Sequence, residues 1–387
     1  MPHDPQRHVA YLRQALESDK RPLALLLGAG CPLAIRIEKD GGSEPLIPDI
    51  DGLMTLTDKE FEGSAQQGTY VALKAQLGAP GAPPLNIETL LNHIRALKVV
   101  AGGGEVRGVT GEQLDAVEEL LCQTISAAVN KPLPSDRTPF HQVAAWVGGI
   151  LRHEAVELFT TNYDLLMEQA LEDTRTPFFD GFVGARYPFF DVAAIENDEL
   201  PPRWARLWKV HGSISWSIDS RGTVVRAPSA GARLLIYPTH LKYEQSRRMP
   251  YLAMLDRLKT FLRRPSAVLA CIGYSFRDDH INEVIVQGLQ GNPTAIAFGL
   301  MYDGLAKYEV GRTIAETRVN LTLLARDGAV VATRPDTYVT GESAEQTGVK
   351  TTANATGSVT TVTLGDFQVF AQFLQELVGH QRIVVES

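Results

Sequence analysis

Residues Leu23 to Leu27 form an unbroken apolar run, Leu-Ala-Leu-Leu-Leu, that stops at Gly28-Ala29-Gly30. Successive side chains of a strand point to opposite faces, so five apolar residues in a row need cover on both sides. That is the condition of an inner strand in a parallel sheet with helices above and below. Arg21-Pro22 before the run and the glycines after it bound the strand. Further apolar runs at 156–159, 207–210, 234–237, 267–272 and 294–298 read as strands, and several alternate with helical periodicities at 164–171, 251–262 and 279–290. The order predicts an α/β fold built on a Rossmann-like, doubly wound, mostly parallel sheet.

A first helix, with Val9, Leu12 and Leu16 on one face, precedes this strand. Between residues 60 and 152 the apolar spacing becomes helical, as in Ile87, Leu90, Leu91, Ile94 and then Leu114, Val117, Leu120, Leu121, Ile125. Glycine-rich turns at 78–84 and 102–104 punctuate it, and the segment is expected to be an inserted helical subdomain. The expected organisation is therefore 1–59 for the start of the Rossmann-like domain, 60–152 for the insert, and 153–310 for the remainder. Residues 311–387 form a C-terminal part, a candidate surface for oligomer or partner contact. There, 320–332 reads as a hairpin turning at Arg326-Asp327-Gly328, and the Thr-, Gly-, Ser- and Ala-rich stretch 340–362 as a mobile loop. An amphipathic helix over 367–377 would cover the sheet or a partner.

The balance of 37 basic against 45 acidic residues gives a net charge of −8, the wrong sign for a surface that neutralises phosphates wholesale. Direct nucleic-acid binding is not expected. No apolar run reaches the ~18 residues of a membrane span, and the first residues lack a signal peptide's apolar core, so a cytoplasmic chain is expected. Cys31, Cys122 and Cys271 are far apart and each lies in an apolar stretch. They read as small buried hydrophobes, with no CxxC pair or HExxH to hold a metal.

Function in open parallel sheets lies outside the carboxyl ends of the strands. Four such ends carry chemistry here. Gly28-Ala29-Gly30-Cys31 offers backbone amides to a phosphate, but Leu33 stands where the dinucleotide fingerprint needs its third glycine, and the following acid, Asp49 or Asp51, sits in a loop. A dehydrogenase is therefore a poor match. Thr160-Thr161-Asn162-Tyr163-Asp164 runs straight into a helix; Asn162 or Asp164 would cap it, and the polar set exceeds what one cap needs. Lys209-Val210-His211-Gly212-Ser213 delivers a histidine into a glycine turn, whereas His93, His141 and His153 sit in helical or linker sequence. Gly273-Tyr274-Ser275-Phe276 precedes another helix, for which Asp278 or Asp279 is the expected cap.

In order and spacing, Gly28-Ala29-Gly30, Ile47-Pro48-Asp49, Thr160-Thr161-Asn162-Tyr163-Asp164, His211-Gly212 and Gly273-Tyr274-Ser275 resemble the NAD-binding motifs of the sirtuin superfamily. The Asn-Tyr-Asp, Val-His-Gly-Ser and Gly-Tyr-Ser-Phe forms are most similar to the sirtuin-like NAD hydrolases of bacterial antiphage defence, in particular the branch associated with a HerA-type ATPase. The resemblance runs from about residue 22 to 298. The chain departs from deacylating sirtuins in lacking their four-cysteine zinc module, in having Ile50 and Asp51 where an arginine follows the Pro-Asp pair, and in placing Thr161 before the asparagine.

The resemblance implies NAD as substrate, with no metal. It assigns Asn162 to orienting a water and the ribose, and His211 to general base catalysis or to holding the ribose hydroxyls. Asp164 and the backbone of Ile47 and Tyr163 would bind the carboxamide; Gly28, Ala29, Gly30, Gly273 and Ser275 would contact phosphates and ribose, with Cys31, Pro48, Asp49, Thr161 and Tyr274 beside them. The expected activity is NAD glycohydrolysis to nicotinamide and ADP-ribose, held in check by homo-oligomerisation or by a HerA-type ATPase partner. Two other readings are an NAD- or ADP-ribose-binding scaffold for such an ATPase, and, less favoured, an NAD-dependent deacylase.

Overall fold

Alternate residues of the first strand face two separate cores: Leu23, Leu25 and Leu27 join one, Ala24 and Leu26 the other. The computed structural model describes residues 2–39, 41–78, 85–150, 152–196, 200–201, 203–226, 234–236, 250–339, 346–354 and 357–380. Its central sheet has nine strands: β1 (Leu23–Leu27), β2 (Glu157–Thr160), β3 (Phe178–Phe179), β4 (Ala205–Lys209), β5 (Val268–Ile272), β6 (Ile296–Leu300), β7 (Leu321–Leu324), β8 (Gly328–Val331) and β9 (Arg334–Thr337). They lie in the order β9-β8-β7-β6-β5-β1-β2-β4-β3.

Every pair from β3 to β7 in that order is parallel, and β8 and β9 close the edge as antiparallel hairpins. The succession β4-β2-β1-β5-β6-β7 is the Rossmann order, with its reversal between β1 and β5. The expected hairpin after residue 320 is thus β7–β8.

Helices cover both faces. On one side lie α1 (Pro5–Glu17), the insert helices and the terminal helix; on the other lie the helices that follow β4, β5 and β6. A four-residue helix, α2 (Gly30–Leu33), follows β1. Between it and β2 run α3 (Ile50–Phe61), α4 (Gln67–Leu77), α5 (Ile87–Ala101), α6 (Gly111–Val129) and α7 (Pro139–Gly149), so the helical stretch begins at Ile50. Three of them start at capping boxes, Asn86 with Thr89, Thr110 with Gln113, and Thr138 with His141. Arg95 Nε donates to Glu118 Oε1 at 2.7 Å and ties α5 to α6. The glycine-rich turn expected at 78–84 lies, beyond Gly78, outside the described residues.

α8 (Leu166–Asp173) follows β2, and α9 (Val192–Glu196) precedes β4. α10 (Pro250–Leu262) packs on α11 (Asp279–Gly291), both over the second core, and α12 (Glu309–Ala315) precedes β7. The terminal helix α13 (Phe367–His380) packs on α7, with Phe140 and Phe367 edge to face and Gln375 Nε2 donating to Gln142 O at 2.7 Å.

Two expectations are corrected. Leu234–Ile236 is not a strand of the central sheet; it pairs antiparallel with Gly212–Ile218 in a separate five-stranded sheet, because a short apolar run does not specify which partner it meets. Tyr237 lies outside the described residues. The stretch read as a mobile loop holds a hairpin, Val349–Asn354 with Gly357–Val362, while 340–345 and 355–356 lie outside the description. Threonine is a β-former, and here the Thr351 and Thr360 hydroxyls meet across the ladder at 3.1 Å while Val349 and Val362 pair, both buried.

Candidate functional site

The reversal of strand order brings the loop after β1 against the loop after β5, and glycine makes this contact possible. A Cβ on Gly28 would stand 2.3 Å from Gly273 O, and one on Gly30 would stand 2.8 Å from Gly273 Cα. Gly28 N donates to Ile272 O and Gly30 N to Gly273 O, each at 2.9 Å, and Cys31 N donates to Gly28 O at 3.0 Å. These glycines therefore answer first to a backbone crossing, and their amides are already engaged. Ala29 at the tip is exposed. Gly273 adopts a left-handed φ of +65°. The Cys31 thiol is buried, donates to Ile272 O at 3.4 Å, and is pushed upward in pKa by burial and by the charge of Asp164.

The β2 end is laced to β1. Thr161 N and Thr160 Oγ1 both donate to Leu27 O, at 3.2 and 3.0 Å, and Asn162 N donates to Thr160 Oγ1 at 3.0 Å. Asn162 is buried, and its Nδ2 donates to Gly28 O at 3.2 Å, fixing the amide over the β1–β2 seam. The N-cap position of α8 is Leu165, which makes no side-chain cap bond, so neither Asn162 nor Asp164 stands at the cap as expected. Asp164, one residue before it, accepts through Oδ1 from Leu166 N, the first helical amide, at 3.0 Å. Burial raises the Asp164 carboxyl to about 6 against the opposing charge of Lys209. Lys209, itself buried, donates to Asp164 O and pairs with Glu168 Oε1 at 2.9 Å.

His211 leaves β4 beside these groups, with its ring 6.3 Å from that of Tyr163. Its Nε2 lies 2.7 Å from Asp278 Oδ2. The other oxygen of Asp278 accepts from His280 N and Ile281 N at 3.1 and 3.2 Å as the cap of α11. Burial lowers the His211 pKa, but the hydrogen bond and charge of Asp278, helped by Glu88, outweigh it and leave the imidazole above its usual 6.5. Burial of Asp278 is likewise outweighed by His211, which holds the carboxyl below 3.8.

Two groups escaped the sequence reading. Asp278 was expected only as a cap, and no local pattern in the sequence marks that its second oxygen meets His211. Glu88, from the first turn of α5, accepts from Tyr163 Oη at 2.8 Å and carries the helical insert to the strand ends. Ile47-Pro48-Asp49 is held by α3 instead: Asp49 Oδ1 caps it at Gly52 N, 2.8 Å away, and none of its described hydrogen bonds reaches the four strand ends. Ser275 is half-buried, and Tyr274 is buried with its hydroxyl 2.8 Å from Asn282 Oδ1.

A cavity of about 460 Å³ lies elsewhere, lined among others by Leu133, His141, Gln169 and Asp173. Of its polar groups, His141 is engaged by Thr138 and Asp173, Gln169 accepts from Leu133 N, and Arg137 donates to Gln375. The strand ends at the topological reversal hold the charged pair and the glycines, and they are the better site. Among the described residues no cluster of three His, Cys, Asp or Glu side chains is set to hold a metal, and no helix is long and apolar enough to cross a membrane.

The family model of the SIR2-like domain matches residues 156–313. The match takes in Asn162, Asp164, His211, Gly273 and Asp278, and leaves Gly28, Asp49 and Glu88 outside it. It supports a sirtuin-like relationship and an NAD-related activity. No curated protein matches the chain closely enough to add a relative.

Proposed function

We propose that this chain is an NAD glycohydrolase that cleaves NAD to nicotinamide and ADP-ribose. The observation that carries the reading is the placement of Asn162 and His211 at the carboxyl ends of adjacent parallel strands, beside the β1–β5 reversal and within the SIR2-like match.

The chemistry asks little of the protein. Nicotinamide leaves from a cationic pyridinium as a neutral molecule, so the departing group needs neither a general acid nor a metal. The transition state is oxocarbenium-like, as in glycoside hydrolysis. The site has to hold the ribose, shield the pyridinium from water and admit one water to C1′. Asn162, locked to Gly28 O, orients water and ribose, and His211 supplies a base or holds the hydroxyls. Asp164 and the backbone near Tyr163 are assigned to the carboxamide, while Ile47 stays with α3.

Deacylation is disfavoured, because the three cysteines of the chain are buried on α2, α6 and β5 and a zinc module needs four. Uncontrolled loss of NAD would be lethal, so the reading includes control by homo-oligomerisation or by a HerA-type ATPase partner, and a role as a cytoplasmic antiphage effector. The test is incubation of the purified protein with NAD, alone and with such an ATPase, followed by mass spectrometry of the products. Nicotinamide and linear ADP-ribose are expected; intact NAD under every condition overturns the proposal and leaves a binding scaffold.

A further inference from the structure

We infer that Asp278 is a positioning residue for His211: its carboxylate holds the imidazole across the ends of β1 and β2 with the proton on Nε2, so that Nδ1 is the nitrogen turned to the reaction. This rests on the NAD-cleaving reading of the site.

In the sheet, β4 and β5 are separated by β2 and β1, three spacings or ~14 Å. Residues following those two strands meet only if a loop arches over the strands between them. The arch is Gly273 to Asp278, and it is built to hold its shape. Tyr274 Oη contacts Asn282 Oδ1 at 2.8 Å and Asp278 O at 3.2 Å, while Asn282 Nδ2 donates to Phe276 O at 2.8 Å. Phe276 is fully buried with a left-handed φ of +59°, a backbone state that a non-glycine residue keeps only when its surroundings impose it. The strained, clamped loop ends on the carboxylate that reaches His211.

The tautomer follows from the acceptor. An ionised carboxylate has no proton to give, so His211 Nε2 must donate to Asp278 Oδ2, and Nδ1 of the neutral ring carries the lone pair. Among the described residues, the charged or titratable groups facing His211 are Asp278 from the cap of α11, Glu88 from α5, and Tyr163, whose hydroxyl is engaged by Glu88. Both acids favour the imidazolium that forms after proton uptake. In the step itself the C1′–N bond breaks, its electron pair leaving with nicotinamide, while a water oxygen bonds to C1′. The water's proton passes to Nδ1, and Asp278 steadies the resulting charge.

Asp278→Asn is the informative variant, since asparagine caps a helix as well as aspartate but turns an NH2 toward His211, removing both the charge and the acceptor. Two measurements are made, the nitrogen and carbon NMR titration of His211, assigned with His211→Gln, and nicotinamide release against pH. In the variant the His211 pKa should fall by about one unit or more and the Nε2–H preference should be lost. The turnover number should fall about 10²-fold or more, with KM changed much less. Asp278→Ser, which also caps, should behave alike. A His211 titration identical in wild type and both variants, or wild-type turnover in them, overturns the inference. If the wild type releases no nicotinamide, the reading of the site falls, and the titration alone decides whether Asp278 sets the state of His211.

Discussion

Gly28 and Gly273 occupy the same small volume where the loops after β1 and β5 cross: a side chain on the first would meet the carbonyl oxygen of the second at 2.3 Å. The contact is backbone against backbone, so nothing flexible can yield. Gly273→Ala adds a left-handed φ of +65° to a Cβ 2.7 Å from Cys31 N. Each alanine variant should lose about 2–4 kcal/mol of stability, an overpacking cost with backbone strain added for Gly273. Urea unfolding measures it, and a loss under ~0.5 kcal/mol would show that the loops separate freely.

Tyr163→Phe tests the link between the helical insert and the strand ends. It removes the hydroxyl that donates to Glu88 Oε1 at 2.8 Å and should cost about 1.5–3 kcal/mol, the range for hydrogen bonds to charged groups. Faster amide exchange in the first turn of α5 should accompany it. Glu88→Gln keeps an acceptor but removes the charge, so it should lower the His211 pKa by less than Asp278→Asn does, because Asp278 is the direct partner.

Stability should depend on pH through the His211–Asp278 pair in a defined sense. The folded His211 pKa is raised, so its contribution is complete below ~6.5 and is lost as pH climbs through the folded value. The folded Asp278 pKa is lowered, so its contribution is present above ~3.8 and is lost as pH falls through the folded value. Coupling should therefore peak between the two. A double-mutant cycle with His211→Gln and Asp278→Asn should give about 1–3 kcal/mol at pH 5.5 and clearly less at pH 9. Equal coupling at both would mean the pair is not ionic.

Much of this was legible because it is written in local pattern. The apolar runs at β1, β2 and β5 announce strands covered on both faces, and polar residues placed directly after such runs announce the functional edge. What stayed hidden depends on how distant segments cross. Nothing near Asp278 states that its free oxygen will meet a histidine from β4, and nothing in α5 states that Glu88 will reach Tyr163. The glycines were read as offering amides to a phosphate, and sequence could not say that another stretch of the same backbone would take those amides up. The hairpin at 349–362 was missed because turn-rich composition was weighed above the β preference of threonine and valine.

Asn162 separates the role of a side chain in chemistry from its role in the fold. Its Nδ2 donates to Gly28 O at 3.2 Å in a buried setting, so Asn162→Ala should cost about 1 kcal/mol for one neutral hydrogen bond. Turnover should fall far more, by about 10²-fold or beyond, if the amide orients the water and ribose. Asn162→Asp has nearly the same shape but sets a carboxylate oxygen against the carbonyl of Gly28. It should therefore destabilise the fold by about 1–3 kcal/mol, more than alanine does, because a buried acceptor then faces an acceptor. Both variants should leave NAD uncleaved at the wild-type rate, with melting curves that rank alanine above aspartate. Wild-type nicotinamide release by Asn162→Ala would confine this residue to holding β2 against β1 and would move the catalytic assignment away from the seam.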